Sequence, residues 1–165
     1  MDIMKCWGIA CLALFFICSE VNAQKSAISS FYSSETECLS VSNDGSQILK
    51  AWGHGKKKKD AVKEAMRNAV RDVIFNGIHA GSKECSIRPI LMEVNAQEKY
   101  EDFFYTFFAD EGTYLNFVTD ETPKKLYFFD TKEKKRNKQQ VKIGMVARVQ
   151  RAALQKYLKQ EGILK

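Results

Sequence analysis

The chain has 165 residues, 45% hydrophobic and 28% charged, with 26 basic against 20 acidic side chains and a formal net charge of +6. That is ample apolar material for one domain with a core, and 9 Gly with 2 Pro are too few for a fibrous or low-complexity chain. The basic balance turns attention to acidic partners, with plain solubility as the bland alternative.

Residues 1–5 carry one lysine, Lys5, and residues 6–18 form an unbroken apolar run. Residues 19–23 turn polar and end Val21-Asn22-Ala23, with modest side chains where a signal peptidase reads. The pattern is that of a secretory signal peptide, too short to span a bilayer as a stable helix. A lipid-modified cysteine fits less well. Cys18 follows the bulky Phe15-Phe16-Ile17, and Cys11 sits in the middle of the run. Cleavage after Ala23 leaves 142 of the 165 residues. The leader takes Lys5, Asp2 and Glu20 with it, so 25 basic and 18 acidic residues remain, a net of +7. The expectation is an exported protein, periplasmic or associated with an outer membrane.

Residues 24–35 are Ser-rich and without periodicity, which reads as a flexible N-terminal arm. Residues 36–165 read as a single α+β domain. Residues 36–42 and 46–53 flank Asn43-Asp44-Gly45, the turn signal of a hairpin. The next segment is an amphipathic helix. Ala61, Ala65, Ala69 and Val73 form one row at i+4 spacing, with Val62, Met66, Val70 and Ile74 beside it. The alanines allow close approach to a sheet, and Asn76-Gly77 should end the helix in a left-handed cap. Residues 79–84 read as a loop, and residues 85–94 as an apolar strand at an edge or broken by Pro89. Asn95 and Glu98 have the spacing of a capping box. Tyr100, Phe103, Phe104, Phe107 and Phe108 then make an aromatic helical stripe of the kind that builds cores. Glu111-Gly112 breaks this helix, and residues 114–118 suggest another short turn. Residues 126–131 and 139–150 read as the arms of a long hairpin. The second arm alternates cleanly, with Val141, Ile143, Met145, Ala147 and Val149 on one face and Lys142, Gly144 and Arg148 on the other. A short helix over residues 152–160 should bury Ala153, Leu154, Tyr157 and Leu158 and stop at Gly162. The expected architecture is a small, mainly antiparallel sheet, with the Ala-rich and the aromatic-rich helices packed against it.

Two blocks carry a resemblance. Ala51-Trp52-Gly53-His54-Gly55, followed by Asp60-Ala61 and Ala65-Met66-Arg67-Asn68-Ala69-Val70-Arg71, resembles a strand ending in G-x-G that runs into an Ala-rich helix. Val146-Ala147-Arg148-Val149-Gln150-Arg151-Ala152-Ala153-Leu154, with Tyr157-Leu158 and Glu161-Gly162-Ile163, resembles the strand–helix ending of the same group. That group comprises the N-terminal domain of flagellar assembly protein T and small envelope lipoproteins. The resemblance implies a small exported α+β domain at an envelope assembly, with an envelope protein as partner and no enzymatic role. The chain departs from the pattern in lacking a lipid-attachment motif and in having Lys57 where a Ser or Thr cap is expected.

Cys38 and Cys85 stay in the mature chain, 47 residues apart. An even pair in an oxidising compartment reads as a disulfide, contributing about 4 kcal/mol through loop closure. Two buried free thiols are the alternative. With His54 and His79 they show no metal-ligand spacing, so neither metal nor cofactor is expected. Gly53-His54-Gly55 lacks the further glycines or the Gly-Lys-Ser/Thr ending of a nucleotide loop and reads as a kink between strand and helix. No nucleophile motif is present, so the expectation is a binding protein rather than an enzyme.

Two basic clusters remain. Lys56, Lys57, Lys58 and Lys59 sit at the positive end of the first helix, a mildly unfavourable place unless an anion binds there. Lys134, Lys135 and Arg136, with Lys132 and Lys138, lie at the expected hairpin tip. These are candidate contacts for an acidic polymer or an anionic membrane surface, and solvated loops are the plain alternative. The lack of aromatic residues interleaved with the lysines speaks against nucleic acid.

Overall fold

The first strand, β1 (Glu37–Val41), turns through Asn43-Asp44-Gly45 into β2 (Gln47–Gly55), and the two pair antiparallel. The turn closes as its sequence dictates. Gly45 takes a positive φ of 78°, and Asp44 Oδ1 accepts the Ser46 N–H at 3.0 Å. These elements belong to a computed structural model that describes residues 36–125, 127–129 and 141–165. The leader, the arm at 24–35 and the basic segment with Lys134, Lys135 and Arg136 lie outside the described residues.

Helix α1 (Lys58–Arg71) follows β2 and lies along the sheet. Ala61, Ala65, Ala69 and Val73 are all fully buried, as are Val70 and Ile74, while Val62 and Met66 are half-buried. Glycines and alanines bring the two backbones together. A Cβ at Gly53 would stand 2.2 Å from the Ala61 carbonyl oxygen and 2.3 Å from the Ala65 nitrogen; one at Gly55 would stand 2.5 Å from the Ala61 nitrogen. Neither glycine has a positive φ. The G-x-G is therefore a site of close packing, not the kink the sequence suggested. Asn68 Nδ2 donates to the Trp52 carbonyl at 2.9 Å and locks helix to strand.

The helix does not end in the expected left-handed cap. Asp72–Asn76 widens into a π turn, closed by Gly77 N–H to the Asp72 carbonyl at 2.7 Å, and Gly77 has φ 74° with an extended ψ of 170°. The wide turn frees carbonyls at Val73 and Ile74, which accept the Ile90 and Leu91 N–H groups at 3.0 and 2.9 Å. Residues 85–94 consequently form no strand. They run as a covering segment that buries Ile90 and Leu91 and leaves Met92 and Val94 exposed. Asp72 itself is buried, accepting hydrogen bonds from Thr36 Oγ1 and from Asn76 Nδ2, the latter at 2.8 Å.

Within residues 79–84, read as a loop, the two-residue strand β3 (Ala80–Gly81) pairs parallel with β1, so the sheet is mixed. Cys38 and Cys85 are joined in a disulfide, tying β1 to the segment just after β3. The Asn95 capping box does not form. Asn95 is left-handed, with φ 62°, and its side chain makes no cap bond. The aromatic segment is broken at Tyr100 into α2 (Ala96–Lys99) and α3 (Glu101–Phe107). Phe104 and Phe107 are nevertheless core residues. Phe104 meets Phe75 edge-on at 4.8 Å, and Phe107 stacks on Tyr157 at 6.0 Å.

A 3-10 turn, Thr113–Phe117, leads into β4 (Val118–Asp120), a strand the sequence did not announce. Then come β5 (Phe128–Phe129), β6 (Val141–Val149) and α4 (Arg151–Gln160). Strand order is β3-β1-β2-β6-β4, with β5 also pairing β6. Ile143, Met145, Ala147 and Val149 are fully buried, as their alternation requires. On α4, Leu154 and Leu158 are buried and Tyr157 is half-buried, but Ala153 is exposed. The fold is α+β, and the buried side chains of its helices share one core with the inward residues of the strands.

Candidate anion-binding surface

Strand pairing places the first lysine run. Gly55 pairs with Val141 and His54 with Lys142, so Lys56 to Lys59 leave the sheet beside the start of β6. All four are exposed. Lys57 is the N-cap of α1, and the missing Ser or Thr is replaced by Asp60, whose Oδ2 accepts the Lys57 N–H at 3.2 Å. Charges of this sign at the positive end of the helix dipole cost about 0.3–1 kcal/mol near the terminus. Among the described residues no carboxylate lies within ion-pair distance of these four ammonium groups. Farther along the helix Lys63 and Arg67 are matched. Lys63 pairs with Glu111, and Arg67 with Glu64 at 2.6 Å and Asp110 at 3.0 Å.

Aromatic rings do accompany the lysines, brought by tertiary structure. Lys58 Nζ lies 4.3 Å from the Tyr127 ring centroid. The Tyr127 hydroxyl donates to Asp120 Oδ2 at 2.6 Å, a bond that pushes the phenol up to about 12. One residue on, Phe128 pairs with Gly144, which on its other side pairs with Trp52. The indole covers Gly144. A Cβ there would stand 3.0 Å from Trp52 Cε3 and 3.1 Å from Cδ2, a ring-fusion atom. Equal approach to a rim atom and a fusion atom is that of a ring face, not a ring edge. The indole therefore turns a face to Gly144 and is half-buried, with Phe128 tilted 50° to it at 6.5 Å.

Two ammonium groups lie over this ring. Lys50 Nζ is 5.3 Å from the Trp52 centroid and 5.2 Å from that of Phe128, and Lys142 Nζ is 5.3 Å from Trp52. Exposed cation–π contacts contribute about 0.5–1 kcal/mol each. Lys50 also reaches Glu37 at 3.4 Å. At the other end of β6, Arg148 is held by Glu121, by Ser42 Oγ at 3.0 Å and by Asp44 at 3.5 Å. Among the described residues, four exposed lysines without an ion-pair partner thus lie at the end of the sheet where α1 starts.

His54 is exposed, and His79 Nε2 lies 3.0 Å from the Asn76 carbonyl oxygen. Among the described residues no group of three or more His, Cys, Asp or Glu is gathered as for a metal ion, and no helix is long and apolar enough to cross a membrane. Comparison of the chain with protein-family models, with curated proteins and with solved structures gives no match.

Sequence reasoning singled out Lys56 to Lys59 but not Tyr127 beside Lys58, nor Trp52 and Phe128 beside Lys50 and Lys142. The signal was partly there. Residues 48, 50, 52 and 54 occupy one side of β2, and Lys142 and Gly144 had been placed on the outward side of β6. What was missing was the pairing of β2 and β5 with the same strand.

Proposed function

We propose that this chain is a non-enzymatic binding protein of the cell envelope whose ligand is an acidic polymer. The observation that carries this reading is the run of four exposed lysines, Lys56 to Lys59, at the start of α1, with no carboxylate within ion-pair distance among the described residues. The leader-like N-terminus, the +7 balance of the mature chain and the resemblance of residues 51–71 and 146–163 to exported envelope domains support it. Exposed Ile87, Met92 and Val94 on the covering segment favour, as a second reading, a protein partner in an envelope assembly.

Retention on an immobilised sulfated polysaccharide tests the first reading. Replacing Lys56, Lys57, Lys58 and Lys59 together by Gln should keep the fold and raise the melting temperature slightly, because it removes charges opposed to the helix dipole. At about 0.5 kcal/mol for each exposed charge the four contribute about 2 kcal/mol, roughly thirtyfold in Kd. Salt should erase the difference, because exposed charges are screened beyond about 8 Å at physiological ionic strength. Equal elution of wild type and variant across a salt gradient would refute the reading.

A further inference from the structure

The geometry points to a peripheral membrane-docking end: Phe128 and Phe129 of β5 enter the interface of an anionic lipid bilayer, and Lys56 to Lys59 lie against its headgroups. This goes beyond the acidic-polymer reading. A dissolved polymer asks only for the lysines, whereas a bilayer also takes up the phenylalanines.

Consecutive residues of a strand point to opposite faces, so the two rings cannot share one pocket. Phe128 is 44% and Phe129 57% exposed, although β5 is paired with β6. Phe128 shares its face of the sheet with Gly144 and Trp52, and Phe129 stands on the other. Both lie beside the lysines. Lys58 Nζ is 4.3 Å from the Tyr127 ring, and Phe129 follows Tyr127 by two residues, at most about 7 Å of extended chain. The register across the sheet agrees. Phe129 pairs with Ile143 and Ile143 with Gly53, two residues short of Gly55, after which Lys56 begins.

Charge decides between occupants. The centre of a protein interface is depleted in lysine, and a second copy seated on this end would bring four more exposed ammonium groups to the same place. An anionic bilayer has the complementary sign. Lysine stems can lie along apolar surface while their amines reach headgroups, and phenylalanine suits the acyl boundary below. At the far end of β6, Arg148 is held by Glu121 and Asp44, so one end of the sheet docks.

Cosedimentation tests this, with protein purified from its native compartment and vesicles of phosphatidylcholine alone or mixed equally with phosphatidylglycerol. Wild type should prefer the anionic vesicles by about a hundredfold or more, and replacing Lys56, Lys57, Lys58 and Lys59 by Gln should remove that preference. Phe129→Ser should weaken binding to anionic vesicles about fivefold, and Phe128→Ser with Phe129→Ser about twentyfold. Retention on the sulfated polysaccharide should not change in either. Phe129→Trp keeps the test open if the serine variants fold poorly: its emission beyond that of wild type should shift to the blue and be quenched by brominated acyl chains. Vesicle binding indifferent to the serine variants, with Phe129→Trp unquenched, would overturn the docking end and spare the acidic-polymer reading. Vesicle binding that follows the phenylalanines, with no retention of wild type on the polysaccharide, would support the docking end and sink the polymer reading. Failure to bind anionic vesicles would overturn the proposal. Self-association lost in the serine variants, with vesicle binding unchanged, would make a second copy the occupant and overturn it too.

Discussion

Breaking the Cys38–Cys85 bond should lower the stability of the domain by about 4 kcal/mol, which for a domain of this size is a fall of roughly 15 °C in melting temperature. The closed loop spans 47 residues and contains β2, α1 and β3, so the bond removes much of the freedom of the unfolded chain. It has a local task as well. The outer edge of β1 is covered by the segment that the bond anchors. Ser82 N–H donates to the Cys38 carbonyl at 2.9 Å, and the Val41 N–H is met by Glu84 Oε2 at 3.2 Å. A carboxylate aimed at a strand edge blocks pairing with another chain. The double variant Cys38→Ala, Cys85→Ala and the reduced wild type should therefore melt together, well below the oxidised protein. Amide exchange at Val41 and Ser82 should accelerate more than at β2 and β6. Alkylation before reduction is the direct check: two labelled thiols in protein taken from its native compartment would refute the bond, and a fall of under about 1 kcal/mol would refute its weight.

Where local sequence and tertiary structure agree, the chain was readable. The rows at 61–73 and 62–74 specify a helix with a small-residue face, and the alternation from Val141 to Val149 specifies a strand with one buried side. Both survive because each residue's burial follows from its own position in a regular period. Residues 85–95 did not read correctly, and the cause lies elsewhere in the chain. The π turn at Asp72–Asn76 exposes carbonyls that capture Ile90 and Leu91, so an apolar run with strand character becomes a lid on the core. Asn95, a good N-cap residue by type, is turned left-handed instead. The proposed binding surface divides in the same way. The lysine run is contiguous and visible in the sequence, whereas the grouping of Trp52 and Phe128 with Lys50 and Lys142 exists because β2 and β5 both border β6.

Gly53→Ala should cost about 3 kcal/mol and roughly 10 °C in melting temperature. A methyl at this position has no side chain to displace. Its three nearest neighbours are backbone atoms of α1, the Ala61 oxygen at 2.2 Å, the Ala65 nitrogen at 2.3 Å and the Ala65 Cα at 2.9 Å. Only withdrawal of the whole helix from the sheet makes room, and that opens the contacts of Ala61, Ala65 and Ala69, all fully buried. Ala65→Leu attacks the same contact from the helix side. It should cost about 1–3 kcal/mol, less than the glycine change at the upper end because a leucine side chain can bend away. The two substitutions should not add, since the first displaces the helix that the second would overpack. The Asn68–Trp52 bond crosses this contact, so the glycine variant should also shift Trp52 emission in the folded state. Melting temperatures unchanged in both variants would show that α1 does not lie on β2 at this distance.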